Sequence, residues 1–211
     1  MKLLFFTDVH GSEGALGWVE KNGRNFDAIL VGGDITQRGA LEFTRRFLHM
    51  LSQLMVPVLF VHGNADPKDL ELPSNLVSLH GRKSRMGSLL IGGLGGSNLT
   101  PFNTPFELPD EEVEKILDSI GAVNILVSHC PPYRTNCDTT PNEENIGSKP
   151  VRSYIEKTSP ELVLSGHVHE ARSTDKIGGT VIANPGPLMF GNYAIVELSG
   201  RLRVYLKNEE L

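Results

Sequence analysis

Cysteine is scarce in this sequence, and long apolar runs and an excess of basic charge are missing. The two cysteines, Cys130 and Cys137, form neither a disulfide framework nor a zinc-binding spacing, which is typical of a reduced cytoplasmic protein. The apolar residues at positions 1–6 are soon followed by Asp8 and His10, which end the run short of a secretory signal core. No other stretch reaches the length of a membrane-spanning helix, so no membrane partner is expected.

The charge and the length narrow the class of protein. The formal net charge is -5, so the basic surface with which proteins usually bind nucleic acid is not expected. A chain of 211 residues is long enough to bury most of its apolar surface without disulfides or structural metals. We expect one large α/β domain over residues 1–211. The oligomeric state stays open, with a homodimer as one option.

Short apolar runs alternate with helical patterns along the chain, which predicts an α/β fold. The apolar runs that predict buried strands are 3–6, 28–34, 57–61, 89–91, 123–127 and 161–164. Helices are predicted over residues 12–22, 39–54 and 151–157 and from Asp110 onward. Residues 68–91 predict short strands and turns. Segments 180–183, 193–198 and 202–206 predict antiparallel strands joined by turns, with a rigid turn at 184–187.

The stretch at residues 28–34 is an apolar run followed by Gly32, Gly33 and Asp34. The glycines let the backbone turn sharply and leave space beside the carboxylate. The same arrangement, an apolar run followed at once by residues that bind metals, occurs four more times. The polar residues at these five strand ends are Asp8, His10, Asp34, Asn64, His129, His167 and His169. Since functional groups gather at the carboxyl ends of parallel strands, we expect all seven to face one crevice.

Each motif alone has an ordinary structural alternative. Asp8 could cap a helix while His10 lies on the surface, and Gly63-Asn64 is a common turn sequence. The most specific local signal is the pair of histidines, His167 and His169, after a glycine at a strand end. Seven ligands are too many for one catalytic zinc and suit two metals that share a carboxylate. Oxygen and nitrogen donors without a thiolate favour Mn, Fe, Co, Ni or Zn over Mg or Ca, and we take Mn first.

Some residues outside these blocks are weaker candidates. The glycine-rich residues 92–98 match neither the P-loop nor the dinucleotide-binding pattern, so we expect a loop close to the site, with Asn98 as a substrate contact. In the long polar loop at residues 133–148, Arg134 could steady a phosphate or could simply be solvated. Cys130 is expected to be a small buried side chain rather than a nucleophile, and His62 to pack behind its turn.

Five blocks of the sequence resemble, in the same order, the signature of the calcineurin-like metallophosphoesterase family. The blocks are Asp8-x-His10, Gly33-Asp34, Gly63-Asn64, His129 and Gly166-His167-x-His169. The residues around His129 and Asn184-Pro185-Gly186 are similar to its small prokaryotic phosphodiesterase branch. The resemblance covers nearly the whole chain and implies a four-layer α/β/β/α sandwich with two mixed β-sheets. It also implies the following ligand sets: Asp8, His10 and His169 on one metal, Asn64, His129 and His167 on the other, and Asp34 as the bridge.

The resemblance further implies the chemistry. Two cations about 3.5–4 Å apart lower the pKa of a bridging water, which attacks a small phosphoester as hydroxide, and no protein nucleophile is required. Asp34, Asn64 and Asp66 are the implied catalytic residues, and the NH2 group of Asn64 is expected to hold a substrate oxygen. Where the family usually has a histidine after Gly-Asn, this chain has Ala65, which favours phosphodiesters or aryl phosphates over alkyl monoesters. The acid that follows, Asp66, either orients a metal-binding histidine or caps the turn.

The leading hypothesis is therefore a metal-dependent phosphodiesterase with two metal ions. The alternative is a catalytically weak binding or scaffold protein that keeps the fold, as retromer-type relatives of the family do. Ala65 keeps this alternative open, while the complete ligand set argues against it. A nuclease is a third option, for which the chain lacks the expected extra length and basic surface.

Overall fold

The computed structural model describes residues 1–36 and 41–211, in which strands alternate with helices. The strands are β1 (Lys2–Phe6), β2 (Ala28–Val31), β3 (Val58–Phe60), β4 (Leu76–Ser78), β5 (Arg82–Met86), β6 (Leu89–Leu94), β7 (Ser97–Asn98), β8 (Glu107–Leu108), β9 (Ile125–Ser128), β10 (Leu162–Leu164), β11 (Ser173–Ile177), β12 (Thr180–Asn184), β13 (Asn192–Ser199) and β14 (Arg201–Asn208). The α-helices are α1 (Glu13–Asn22), α2 (Leu41–Gln53), α3 (Asp110–Ile120) and α4 (Lys149–Thr158). Single 3-10 turns lie at Gly23–Asn25 and Leu188–Phe190.

The described strands form two mixed sheets and a short ribbon. The spatial order in the first sheet is β14-β13-β1-β2-β3-β4, and in the second it is β11-β12-β10-β9-β6-β5. In the first sheet β1 to β4 run parallel, and β13 is antiparallel to β1. In the second sheet β6, β9, β10 and β12 run parallel, with β11 and β5 antiparallel at the edges. The ribbon pairs β7 with β8. The two mixed sheets predicted by the resemblance are confirmed.

Side chains along β1 alternate between two cores. Leu4 and Phe6 pack with α1 and α2 on the outer face of the first sheet, while Leu3 and Phe5 pack into a core between the sheets. A third core lies between the second sheet and helices α3 and α4. Because successive strand residues point to opposite faces, a strand covered on both faces must be apolar throughout. The continuous apolar runs of the sequence therefore reflect a four-layer α/β/β/α arrangement.

Two of the α-helices, α1 and α4, begin at a serine cap. Ser12 accepts a hydrogen bond from the backbone N–H of Ala15 and starts α1, and Ser148 caps α4, which begins two residues before the predicted start. The predicted helix at 39–54 corresponds to α2, and its first two residues, Gly39 and Ala40, lie outside the described residues. In the part of the chain that the structure describes, no helix is long and apolar enough to cross a bilayer.

The C-terminal segments differ from the expected series of neighbouring strands. β13 and β14 form the expected antiparallel hairpin, but β12 lies in the other sheet, parallel to β10 and antiparallel to β11. The segment at 184–187 therefore crosses between the sheets instead of turning between adjacent strands, and that prediction is wrong. Local alternation of apolar residues predicts that a segment is a strand, but partners distant in sequence decide which sheet it joins.

Candidate metal centre

The predicted ligands follow strands whose carboxyl ends meet at one edge of the sandwich. β1, β2 and β3 of the first sheet lead to Asp8 and His10, to Asp34 and to Asn64, whereas β9 and β10 lead to the histidines. Nε2 of His10 lies 3.1 Å from Nε2 of His169, although the residues are far apart in the chain. The packing of the two sheets thus brings all the predicted ligands into one region.

Asp8, His10 and His169 form a group of predicted ligands that could hold a metal ion. Oδ1 of Asp8 lies 3.4 Å from Nε2 of His169 and 3.8 Å from Nε2 of His10. This oxygen is buried and accepts no hydrogen bond from the described residues, while Oδ2 accepts the backbone N–H of His167 at 3.1 Å. An unbonded buried carboxylate oxygen beside two imidazole nitrogens fits a cation, which would satisfy all three donor atoms at once.

The second group of predicted ligands consists of Asn64, His129 and His167. Nε2 of His129 lies 2.9 Å from Oδ1 of Asn64, and the ring centroids of His129 and His167 are 5.1 Å apart. His167 has a left-handed backbone with φ of 67°, a conformation that is costly for a side chain and concentrates at functional sites. This backbone conformation allows the N–H of His167 to contact Asp8 while its ring packs beside His129.

Asp34 lies between the two groups. Its Oδ1 accepts the backbone N–H of Ala65 at 2.8 Å. Its Oδ2 is 3.7 Å from Nε2 of His10 and 3.5 Å from Nε2 of His129. One oxygen is thus held by a neighbouring turn, and the other faces a nitrogen from each group, a position from which one carboxylate could serve both groups.

Backbone carbonyls orient two of the imidazoles. Nδ1 of His10 lies 3.2 Å from the carbonyl oxygen of Thr36, and Nδ1 of His129 lies 2.7 Å from that of Gly32. A carbonyl can only accept, so Nδ1 carries a proton in both rings, and Nε2 is the ring nitrogen that could bind a metal ion. Thr36 was not predicted as a site residue, and its only sequence signal is its position two residues after Asp34.

Glycines allow the loops around this site to approach each other. Gly33 has φ of +98°, and a Cβ there would lie 2.2 Å from the backbone nitrogen of Gly63. A Cβ at Gly166 would lie 2.4 Å from Oδ2 of Asp8. Neither position has room for a side chain, so the ligand loops can pack this closely only with glycine.

Asp66 caps the two loops that carry Asp34 and Asn64. Its buried carboxylate accepts the backbone N–H groups of Asp34, Gly63 and Thr36 at 2.8–2.9 Å, together with the hydroxyl of Thr36. Of the two roles considered for Asp66, the contacts support capping, because its hydrogen bonds go to backbone amides and a hydroxyl rather than to a histidine. Burial and the charge of Asp34 raise the pKa of Asp66 to about 6.

The charges in the cluster favour a cation. Burial raises the pKa of Asp8, but contact with the surrounding histidines outweighs it and holds this pKa well below its usual range. Burial lowers the pKa of His129, yet the charges of Asp34 and Asp8 raise it to about 9. Burial and the charge of His129 lower the pKa of His167 to about 4. The buried carboxylates are stabilised by positive charge, but the neighbouring histidines cannot all be protonated at once. Divalent metal ions would supply the missing positive charge.

The structure gives Asn98 and Arg134, the predicted substrate contacts outside the cluster, the following surroundings. Oδ1 of Asn98 is 3.0 Å from Sγ of Cys130, which is buried as expected. Burial raises the pKa of the Cys130 thiol to about 12, so it is not a nucleophile at neutral pH. Arg134 is exposed, with its guanidinium over the ring of Tyr133 at 5.4 Å. Roles of Asn98 and Arg134 in substrate binding stay predictions.

Thr104 is a contact of the site that has no sequence signal. Its Oγ1 lies 3.1 Å from Nδ2 of Asn64, yet it belongs to the proline-rich connection between β7 and β8, far from any strand-end motif. The contact exists because the ribbon folds back onto the Asn64 turn, where the backbone N–H of Phe106 donates to the Asn64 carbonyl oxygen at 3.0 Å.

His62 packs behind its turn between Phe60 and Phe106, with ring centroids at 5.0 and 6.0 Å. Burial lowers its pKa to about 4 from an ordinary value of 6.5. The unfolded chain thus binds a proton at a pH where the folded one does not, so stability falls as the pH drops from about 6.5 to about 4. Between pH 7 and pH 4, the unfolding free energy of the wild type should fall by about 2–3 kcal/mol more than that of His62→Leu, because leucine binds no proton. Urea denaturation at both pH values measures the difference.

The surface residue His49 provides the matched control for this measurement. Because its side chain is exposed, His49→Leu should follow the wild-type pH profile. Equal profiles for all three proteins would contradict the assignment to His62.

Comparison with known proteins gives three kinds of match. The sequence profile described as calcineurin-like phosphoesterase matches residues 1–171. An uncharacterized protein of Methanocaldococcus jannaschii is 37% identical, with 92% of this chain and 91% of that protein covered. A probable cyclic nucleotide phosphodiesterase of Vesicomyosocius okutanii subsp. Calyptogena okutanii is 25% identical, with 80% and 73% covered. The crystal structure of TT1561 of Thermus thermophilus shares the fold, with a TM-score of 0.73, 20% identity and 98% of both chains covered.

Proposed function

Because the chain belongs to the calcineurin-like phosphoesterase family, which is metal-dependent, we propose that it is a phosphodiesterase with two divalent transition-metal ions. The observation that carries the proposal is the position of Asp34 Oδ2, which faces Nε2 of both His10 and His129. Asp8, His10 and His169 would hold one ion, and Asn64, His129 and His167 the other. Manganese is the first choice among the borderline ions that suit these donors.

Bound metal ions would supply Lewis acidity for the phosphoryl oxygens and activate water at neutral pH. The protein holds the donor atoms ready for this. The Ala65 amide fixes one oxygen of Asp34, and the carbonyls of Thr36 and Gly32 orient His10 and His129. Asn64 can present Oδ1 to the metal, and one of its two N–H groups stays available for a substrate oxygen.

Substrate preference follows from Ala65. A methyl group at this position cannot donate a proton, so an alkoxide leaving group would depart without help from the protein. Esters whose leaving group is already stable, such as aryl phosphodiesters, would be hydrolysed faster. Ala65 bears only on the leaving group; the diester class is supported instead by the relatives that are named cyclic nucleotide phosphodiesterases.

We expect manganese-loaded protein to hydrolyse bis-p-nitrophenyl phosphate at least about 10-fold faster than an alkyl phosphate monoester, measured as kcat/KM for each. Metal-stripped protein is the control and should regain activity when manganese is added. Faster turnover of the monoester would contradict the diester preference. Protein that binds metal but hydrolyses no ester with Mn, Fe, Co, Ni or Zn would instead support the binding or scaffold alternative.

A further inference from the structure

The side-chain amide of Asn64 can adopt two orientations of nearly the same shape, in which the oxygen and the NH2 group exchange places. Its oxygen can bind a metal ion, whereas its NH2 group cannot. In the observed orientation Oδ1 faces Nε2 of His129 at 2.9 Å, and Nδ2 faces Oγ1 of Thr104 at 3.1 Å. The function of the second ligand group therefore depends on what selects this orientation.

The hydroxyl of Thr104 is itself oriented by Glu107. Oγ1 of Thr104 lies 2.6 Å from Oε1 of Glu107, and the same carboxylate accepts the backbone N–H of Thr104 at 2.8 Å. Thr100 adds two more hydrogen bonds, from its hydroxyl at 2.5 Å and its backbone N–H at 3.0 Å. Although the partial burial of Glu107 raises its pKa, the bonds from the two threonines outweigh burial and lower it to about 2. Glu107 is thus an ionised carboxylate at neutral pH and can only accept.

We propose that Thr104, oriented by Glu107, is a positioning residue that holds the Asn64 amide oxygen toward the second metal. Each hydrogen bond in this series has a fixed donor and a fixed acceptor. Glu107 must accept, so the Thr104 hydroxyl donates its single proton to Glu107 and can only accept from Asn64. Asn64 must then turn its NH2 group toward Thr104, which directs Oδ1 toward His129. The inference rests on the proposed function insofar as it takes Asn64 as a metal ligand.

The test compares Thr104→Val with Thr100→Val. The first substitution keeps the shape of the side chain but removes the acceptor for Asn64. The second removes an equivalent hydrogen bond to Glu107 without touching Asn64, so it controls for general loosening of the loop. Calorimetry of manganese binding to metal-stripped protein should show that one of the two sites loses affinity by roughly 10–100-fold in Thr104→Val. The other site, and both sites in Thr100→Val, should be unchanged.

Thr104→Ser restores a hydroxyl at the same position and should recover the affinity. Equal losses in Thr100→Val and Thr104→Val, or wild-type affinity in Thr104→Val, would overturn the inference. Hydrolysis of bis-p-nitrophenyl phosphate by the wild type is measured separately. If the wild type binds two ions and hydrolyses nothing, the proposed function fails while the binding comparison still decides the role of Thr104.

Discussion

Asp34→Asn should remove both metal ions and reduce phosphodiester hydrolysis by at least about 10³-fold. The Ala65 backbone N–H bonds Oδ1 of Asp34, and the amide oxygen of asparagine would take over that bond. The NH2 group would then occupy the position from which Oδ2 faces His10 and His129. A group that can only donate hydrogen bonds cannot coordinate a cation, so the bridge is lost for both ions. Elemental analysis after reloading with manganese and assay of bis-p-nitrophenyl phosphate would measure the effect.

Two variants separate this effect from a general disturbance. His10→Ala should leave about one metal ion per chain, because His10 belongs to one ligand group only. Asp118→Asn removes an exposed carboxylate that pairs with Lys157 on the surface, so metal content and activity should stay at the wild-type level. Full metal content in Asp34→Asn would show that Asp34 is not the shared ligand.

Asp66→Asn should lower the unfolding free energy by about 2–4 kcal/mol and also weaken metal binding. One oxygen of Asp66 accepts the amides of Asp34 and Gly63, and the other accepts the amide and hydroxyl of Thr36. An asparagine can accept at only one of these two places, so its NH2 group would face donors at the other. The buried amides left without an acceptor destabilise the fold and release the loops that place Asp34 and Asn64. Urea denaturation and manganese calorimetry would measure the two effects.

Asp138 offers a matched control in another loop. It is fully buried and accepts the backbone N–H groups of Arg134, Thr135 and Gly147, as Asp66 does in its own loop. Asp138→Asn should therefore cost similar stability but leave manganese affinity unchanged. If both variants lost manganese affinity equally, the effect of Asp66 would be one of stability alone.

Much of the site follows from local sequence. The stretch at 28–34 predicts a buried strand because only a strand covered on both faces stays apolar throughout, and β2 forms over Ala28–Val31. A predicted ligand that follows such a run within a few residues, as Asp34 does, must lie near the carboxyl end of the strand. The same reasoning applies to Asp8, His129 and His167, and it needs no knowledge of which strands are neighbours. The predicted starts of the helices were close for the same reason, since caps such as Ser12 act within one turn of the chain.

Contacts between distant segments were decided only by the tertiary structure. The sequence by itself determined which polar residues follow the apolar runs, but β12 and β13, which are close in sequence, joined different sheets because strand pairing depends on remote partners. Asp66 could be named but not assigned, since its acceptor role depends on Thr36 and Asp34 across the gap between two loops. Thr104 could not be named at all, because a hydroxyl acquires its role only when the β7–β8 ribbon brings it to Asn64. Local patterns specify backbone form and burial, whereas the orientation of a side chain is set by hydrogen-bond partners that only folding brings within reach.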